Sequence, residues 1–430
     1  MSMQRFKILH ITPHLGGGVG STILGYLSVN KSFEHEVVAF GYTKGYVLET
    51  IKHLKIPYTD NITNEEVIKK IPEFDIVLIH QWNHPLLYNF LVKSELPPCR
   101  VVMLGHNSGF NPPNCYTKKI LEYPDIFVFT TPLSYDVREV KSFGKVYNMY
   151  DVWSTEGVEE YKDVKRLKHN GFTVGYIGTV DYAKIHPDFL EMCKELLDCN
   201  IPHLNFVVVG GTQESEFKAE AEKLGIADKI VFTGYVPKDE LKYYLSIFDV
   251  FGYPLAPYHY GTCDLVLQIA MASGVVPVVF DNPMEKYMIK NKKTGVIVKD
   301  KKGYIQAIKD LYNNINWRKE LSNNAREVAI KNYSLDKLDK EWEVVFTNVL
   351  DFPKREKKWN VNRFSIESKD IFLESIGNYA RHFESDFDIT QLAKNKSWQT
   401  ETKGSVHNYH SYFPFDRTLM KWSMLMRDNK

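Results

Sequence analysis

The stretch Lys7-Ile8-Leu9-His10-Ile11-Thr12-Pro13-His14-Leu15-Gly16-Gly17-Gly18-Val19-Gly20-Ser21-Thr22 runs from a short apolar, β-branched segment through a glycine-rich turn into a segment of helical character. A strand buried on both faces reads as such a run. Glycines in the turn let the backbone approach a ligand closely, and the N–H groups and dipole of the following helix favour an anion. Gly17 and Gly18 are therefore candidate phosphate contacts, with a plain strand-to-helix turn as the alternative. The glycines do not make a dinucleotide fingerprint, because neither Gly16 nor Gly18 opens a G-x-G-x-x-G run.

Working outward, the same unit recurs. Lys7–Thr12 is followed by Glu36–Phe40, Asp75–His80, Arg100–His106, Ile126–Thr131 and Val146–Asp151, with longer helix-like segments between them. The polar stretch Ser154–Asn170 interrupts the series. It resumes with Thr173–Gly178, Asn205–Gly211, Lys229–Gly234, Val250–Pro254, Val276–Phe280 and Gly295–Val298, spaced by segments such as Pro187–Asp198 and Ser215–Leu224. Strands alternating with helices predict parallel sheets, so the fold class is α/β with two successive doubly wound, Rossmann-like domains. The expected division is 1–153, a linker 154–170, 171–350, and an extension 351–430 that is too rich in Trp, Tyr and Phe to be disordered. Tyr304–Leu350 reads as helical.

Composition agrees with that scale. A chain of 430 residues exceeds one ordinary core. A net charge of +1 argues against nucleic acid as main partner, since neutralising many phosphates takes a basic excess. The five cysteines form no C-x-x-C pair and fit reduced thiols in a cytoplasmic protein. No apolar run reaches the length of a spanning helix, which leaves peripheral membrane contact open.

The most specific block is Phe232-Thr233-Gly234-Tyr235-Val236-Pro237, then Glu240-Leu241, Phe248-Asp249-Val250, and Ala270-Met271-Ala272-Ser273-Gly274 with Pro277-Val278-Val279. These segments resemble the donor domain of the glycogen-synthase-like, group 1 class of retaining GT-B glycosyltransferases. The similarity covers about Lys7 to Leu350. It implies two Rossmann-like domains with a cleft between them, a nucleotide-sugar donor, a saccharide or lipid-linked acceptor, retention at the anomeric carbon, and neither metal nor cofactor.

The resemblance also assigns roles. Lys184, after Gly178, stands where the family meets the donor diphosphate. His106, in Met103-Leu104-Gly105-His106-Asn107-Ser108-Gly109, matches the histidine placed beside the transferred sugar. Where an arginine usually precedes the lysine, this chain has Thr179. Where the family's paired glutamates stand, it has Ile269 and Gly261. Asp264, in the run Tyr260-Gly261-Thr262-Cys263-Asp264, is then a candidate sugar or ribose contact, and Gln268 a substitute for the missing carboxylate. Gly210 and Gly211 end a second phosphate or base site, and Gly234, Tyr235, Val236, Gly261 and Thr262 complete the expected donor contacts. Glu285 either faces the same site or is an exposed acid favoured by a helix start.

Among possible metal ligands, His80 with His84 and His407 with His410 lack a third partner in the sequence. Asp386-Phe387-Asp388 resembles a metal-binding carboxylate pair, but lies beyond the strands and reads as a solvated acidic segment. Two rivals remain open at this level: a degenerate binding or scaffold protein of the same fold, and a phosphorylase or epimerase.

Overall fold

The structure is a computed structural model. It describes residues 5–43, 46–143, 149–151, 157–259, 261, 264–362 and 364–427. Two compact units emerge: Met1–Glu156 with Tyr260–Cys263 and Leu335–Lys430, and Gly157–His259 with Asp264–Ser334.

The first unit holds strands β1 (Lys7–Thr12), β2 (Glu34–Ala39), β3 (Tyr58–Thr59), β4 (Ile76–Gln81), β5 (Glu95–Cys99), β6 (Val101–Gly105), β7 (Ile126–Phe129) and β8 (Met149–Asp151). Seven of them form one sheet in the order β3-β2-β1-β4-β6-β7-β8, with every pairing parallel. The second unit holds β9 (Phe172–Ile177), β10 (Leu204–Val209), β11 (Ile230–Phe232), β12 (Val250–Tyr253), β13 (Val276–Phe280) and β14 (Val296–Val298). Their order is β11-β10-β9-β12-β13-β14, again parallel. Both are Rossmann-like: the order reverses between β1 and β4 and between β9 and β12, and open α/β sheets take ligands beyond the carboxyl ends of such strands. Every strand-like run named above overlaps one of these strands.

The first sheet is buried on both faces. Leu9, Ile11, Val77, Ile79, Val101 and Met103 point to one side, and Ile8, Ile76, Leu78, Val102 and Leu104 to the other. The second face is covered by helix Leu335–Leu350 through Leu338, Trp342, Val345, Phe346 and Val349. That helix was expected in the second domain; its apolar stripe instead completes the first. The aromatic extension covers the opposite face with Ile371, Phe372, Trp398, Tyr409 and Trp422. A fifteenth strand, β15 (Arg355–Lys358), pairs antiparallel with β5 and joins the extension to the unit. Part of the expected linker is packed as well: Val158 and Tyr161 are buried, and Glu160 takes Lys238 at 2.9 Å and Lys242 at 3.2 Å. Among the described residues no helix is long and apolar enough to cross a membrane.

Candidate functional site

At the switch point of the second sheet, the loops after β9, β12 and β13 are laced together. The Lys184 N–H donates to the Asp181 carbonyl at 2.9 Å, and the Lys184 carbonyl accepts from the Ala256 N–H at 2.8 Å. The Asn282 side-chain amide donates to the Leu255 carbonyl and to Glu285 Oε1, both at 3.2 Å. These bonds fix the backbones that carry four buried ionisable side chains: Lys184, His259, Asp264 and Glu285.

Lys184 Nζ lies 5.3 Å from the centre of the Tyr253 ring, a cation–π contact, and the Tyr253 hydroxyl donates to Asp264 Oδ1 at 3.0 Å. Tyr253 stacks on Tyr176 at 5.7 Å. His259 Nε2 sits 3.5 Å from Glu285 Oε1. Only 7% of Lys184 is exposed, yet among the described residues its Nζ forms no hydrogen bond or ion pair. A buried ammonium whose donors are not taken up is costly unless something anionic meets it.

The charges act on each other. Burial, followed by the Glu285 carboxylate, raises the pKa of Asp264 from its ordinary value, against the opposing pull of Lys184 and His259. Burial disfavours a charged His259, but Glu285 and Asp264 outweigh it and its pKa is raised, which favours an imidazolium. His259 was not anticipated. It directly precedes the run Tyr260–Asp264, a signal within reach of the sequence, and its raised pKa favours positive charge beside Lys184. Asp264 itself has a left-handed backbone, φ 43° and ψ 54°, at the start of helix Leu265–Ala272. A non-glycine residue held there is strained, as functional residues sometimes are.

The glycines of this unit serve the turn geometry. Gly178 ends β9 at φ +148°, and a Cβ there would come within 3.3 Å of Lys184 Nζ. Gly210, at φ +132°, would place a Cβ 1.9 Å from the Gly178 carbonyl oxygen, so no side chain is tolerated between these backbones. Gly210 also bridges to Gly234, its N–H donating to the Gly234 carbonyl at 3.0 Å. Gly211 and Val236 lie on that turn and Tyr235 is 79% exposed beside it. Gln268 is buried in its helix, as is Ile269, where no carboxylate is available. Thr262 lies outside the described residues.

The remaining candidates belong to the first unit. Gly17, at φ +60°, and Gly18 open helix Gly17–Val29, and a Cβ on either would meet nothing within 4 Å. No side chain caps that helix start and its first turn has no acidic residue, leaving its N–H groups for an anion. Gly261, expected among the donor contacts, accepts from the N–H of Ser108, in the loop after β6, at 2.9 Å. His106 stands at the end of β6. His80 bonds through both ring nitrogens to other histidines and His84 caps helix Pro85–Lys93, so they do not form a ligand pair. Asp386 and Asp388 occupy the first turn of helix Asp386–Leu392, where Asp386 meets Lys421 at 2.7 Å. The extension contributes Lys403, whose charge is felt by His14, His84 and His106, and Tyr409, whose hydroxyl donates to Asn83 Oδ1 at 2.9 Å.

Residues 157–328, less than half of the chain and nearly all of the second unit, match the family model of glycosyl transferases group 1. The chain resembles the 2-deoxystreptamine glucosyltransferase of Streptomyces kanamyceticus at 28% identity over 95 residues, covering 20% of this chain and 24% of the relative. It resembles the 2-deoxystreptamine N-acetyl-D-glucosaminyltransferase of Streptomyces fradiae at 34% over 85 residues, covering 19% and 20%. These alignments thus span about a quarter or less of the curated relatives. Among solved structures, HepE of Anabaena in complex with UDP and glucose superimposes with a TM-score of 0.64 at 12% identity, over 80% of this chain and all of HepE. The fold is accordingly the GT-B pairing of two Rossmann-like units, and the second carries the group 1 glycosyltransferase signature.

Proposed function

We propose that this chain is a retaining glycosyltransferase that moves a sugar from a nucleotide-sugar donor to a saccharide or glycolipid acceptor, such as a growing surface polysaccharide. In this reading the second unit holds the donor and the first receives the acceptor. The observation that carries the proposal is Lys184: an ammonium held by hydrogen-bonded loops at the switch point, nearly buried, with its donors unclaimed among the described residues. Such a group is suited to the negative charge that develops on a departing nucleoside diphosphate.

Each side chain then has a task. In the second unit Lys184 favours phosphate and His259 supplies further positive charge; in the first, the helix start at Gly17 and Gly18 favours an anion. Asp264 and Glu285 offer acceptors for sugar or ribose hydroxyls, and His106 contacts the transferred sugar. The leaving diphosphate accepts the acceptor's proton on the face that it vacates, so no enzyme nucleophile is required. With positive charge supplied by side chains, the reaction takes place without a bound metal or cofactor.

A thermal-shift screen with the diphosphates of uridine, guanosine and adenosine, and with their sugars, tests this directly. At a hundredfold excess over Kd, a ligand bound only by the folded state stabilises by about 2.7 kcal/mol. One nucleotide is expected to raise the Tm, and Lys184→Ala to remove that shift. If none does so, the chain is a binding or scaffold protein instead.

A further inference from the structure

Four histidines of the first unit form one hydrogen-bonded row. His35 lies on β2, His10 on β1, His80 on β4 and His106 just past β6, which are four neighbours in the sheet. The register makes the row diagonal. Ile8 pairs with His35, His10 with Leu78, and His80 with Leu104, so each histidine stands two residues beyond the partner of the one before it. A step of two keeps every side chain on the same face. The links are His35 Nδ1 to His10 Nε2 at 3.0 Å, His10 Nδ1 to His80 Nε2 at 3.1 Å, and His80 Nδ1 to His106 Nε2 at 2.9 Å.

One end of this row fixes its polarity. Asn30 Nδ2 donates to the Asp339 carboxylate at 2.7 Å, and Asn30 Oδ1 accepts from the Phe33 N–H at 3.3 Å. A carboxylate only accepts and an amide N–H only donates, so the Asn30 side chain has one orientation. Its Oδ1 faces His35 Nε2 at 3.0 Å, and that nitrogen must carry the proton. A neutral imidazole has one donor and one acceptor, so His35 Nδ1 accepts and His10 Nε2 donates. The same alternation passes to His80 and reaches His106 as Nε2–H. Burial, with neighbouring charges, lowers the pKa of each ring and favours its neutral form. Among the described residues His106 Nδ1 makes no hydrogen bond.

We propose that Asn30, His35, His10 and His80 are positioning residues that hold His106 as its Nε2–H tautomer, so that Nδ1 presents a lone pair beyond the carboxyl end of β6 to accept a hydrogen bond from a sugar hydroxyl. The row itself follows from geometry, and its purpose rests on the glycosyltransferase reading.

Neutron diffraction from deuterium-exchanged crystals of the full chain tests the first part. Deuterium is expected on Nε2 and absent from Nδ1 of all four rings; deuterium on His106 Nδ1 overturns the proposal. Turnover of the donor selected by the thermal-shift screen tests the second part. Asn30→Ala is expected to lower kcat per folded molecule roughly tenfold or more while leaving the donor KM within about threefold. Exchanging the two ends, Asn30→Asp with Asp339→Asn, keeps an acceptor facing His35 and is expected to recover most of the loss. A purely structural role would lower the Tm of Asn30→Ala and leave kcat per folded molecule unchanged, which also overturns the proposal. If the unaltered chain transfers no sugar, the function reading fails while the neutron result still decides the tautomers.

Discussion

Lys184→Ala is expected to lower turnover a hundredfold to a thousandfold, the loss typical when one preorganised group facing developing charge is removed. The sequence alone suggests that stability is spared, because a lysine in a loop is ordinarily solvated. The structure changes that expectation. Lys184 is buried and its charge acts on Asp264, which lies beside Glu285. Removing it takes away a charge that offsets the buried carboxyl groups, although no ion pair is broken, so the cost stays below the roughly 3–5 kcal/mol of a broken buried pair. The Tm is therefore expected to fall by several degrees along with activity. Adding Asp264→Asn separates the two effects: asparagine tolerates the left-handed backbone and carries no charge. The double variant is expected to regain most of the Tm and none of the turnover. Near-native turnover in Lys184→Ala alone would remove the residue from the chemistry.

Acid is expected to destabilise the first unit before the second. Burial lowers the pKa of His10, His80 and His84 well below 6.5, that of His35 and His14 to about 4, and that of His106 to about 3, with neighbouring charges adding to each. A histidine whose folded pKa is depressed binds its proton in the unfolded chain first. Its stabilising share is complete above pH 6.5 and is lost as pH falls from there toward the folded value. The slope is about 1.4 kcal/mol per pH unit for each such ring, so the loss grows steadily as the pH falls below 6.5. In the second unit His259 and Asp264 have raised pKa values, and both contribute in the opposite sense on acidification. Hydrogen exchange at pH 7 and pH 5 resolves the units: protection is expected to fall in β1, β2, β4 and β6 first. Equal loss in both sheets would mean that the row is charged when folded.

Much of the architecture was legible because parallel strands covered on both sides are continuous apolar runs. Lys7–Thr12 and Val276–Phe280 appear with the same ends that the sequence suggests. Strands without that signature were not. Glu95–Cys99 contains Pro97 and Pro98, and Arg355–Lys358 is wholly charged; each is defined only by the other. The membership of Leu335–Leu350 in the first unit is a long-range fact that no local pattern carries. At the site, the family resemblance singled out Lys184 and Asp264, and position after a strand Glu285; the structure places all three in the second unit. His259 was overlooked because its importance comes from the Glu285 carboxylate beside it. The diagonal of His35, His10, His80 and His106 needed the pairing register, since His10 lies inside its strand, His35 and His80 lie next to a strand end, and His106 lies just past one.

The covering of the first sheet by Leu335–Lys430 has a bearing on biosynthesis. A ribosome finishes β1 through β8 long before it makes the helix and the extension that shield their two faces. At roughly 5–20 residues per second, translating the intervening segment leaves those faces uncovered for on the order of ten to forty seconds. The second unit, mostly one contiguous stretch, closes its own sheet in that interval. A nascent chain arrested near Ser334 is thus expected to hold a protease-resistant Gly157–Ser334 and to engage chaperones through its earlier residues. Equal protease resistance in both regions would show that the N-terminal sheet needs no such cover.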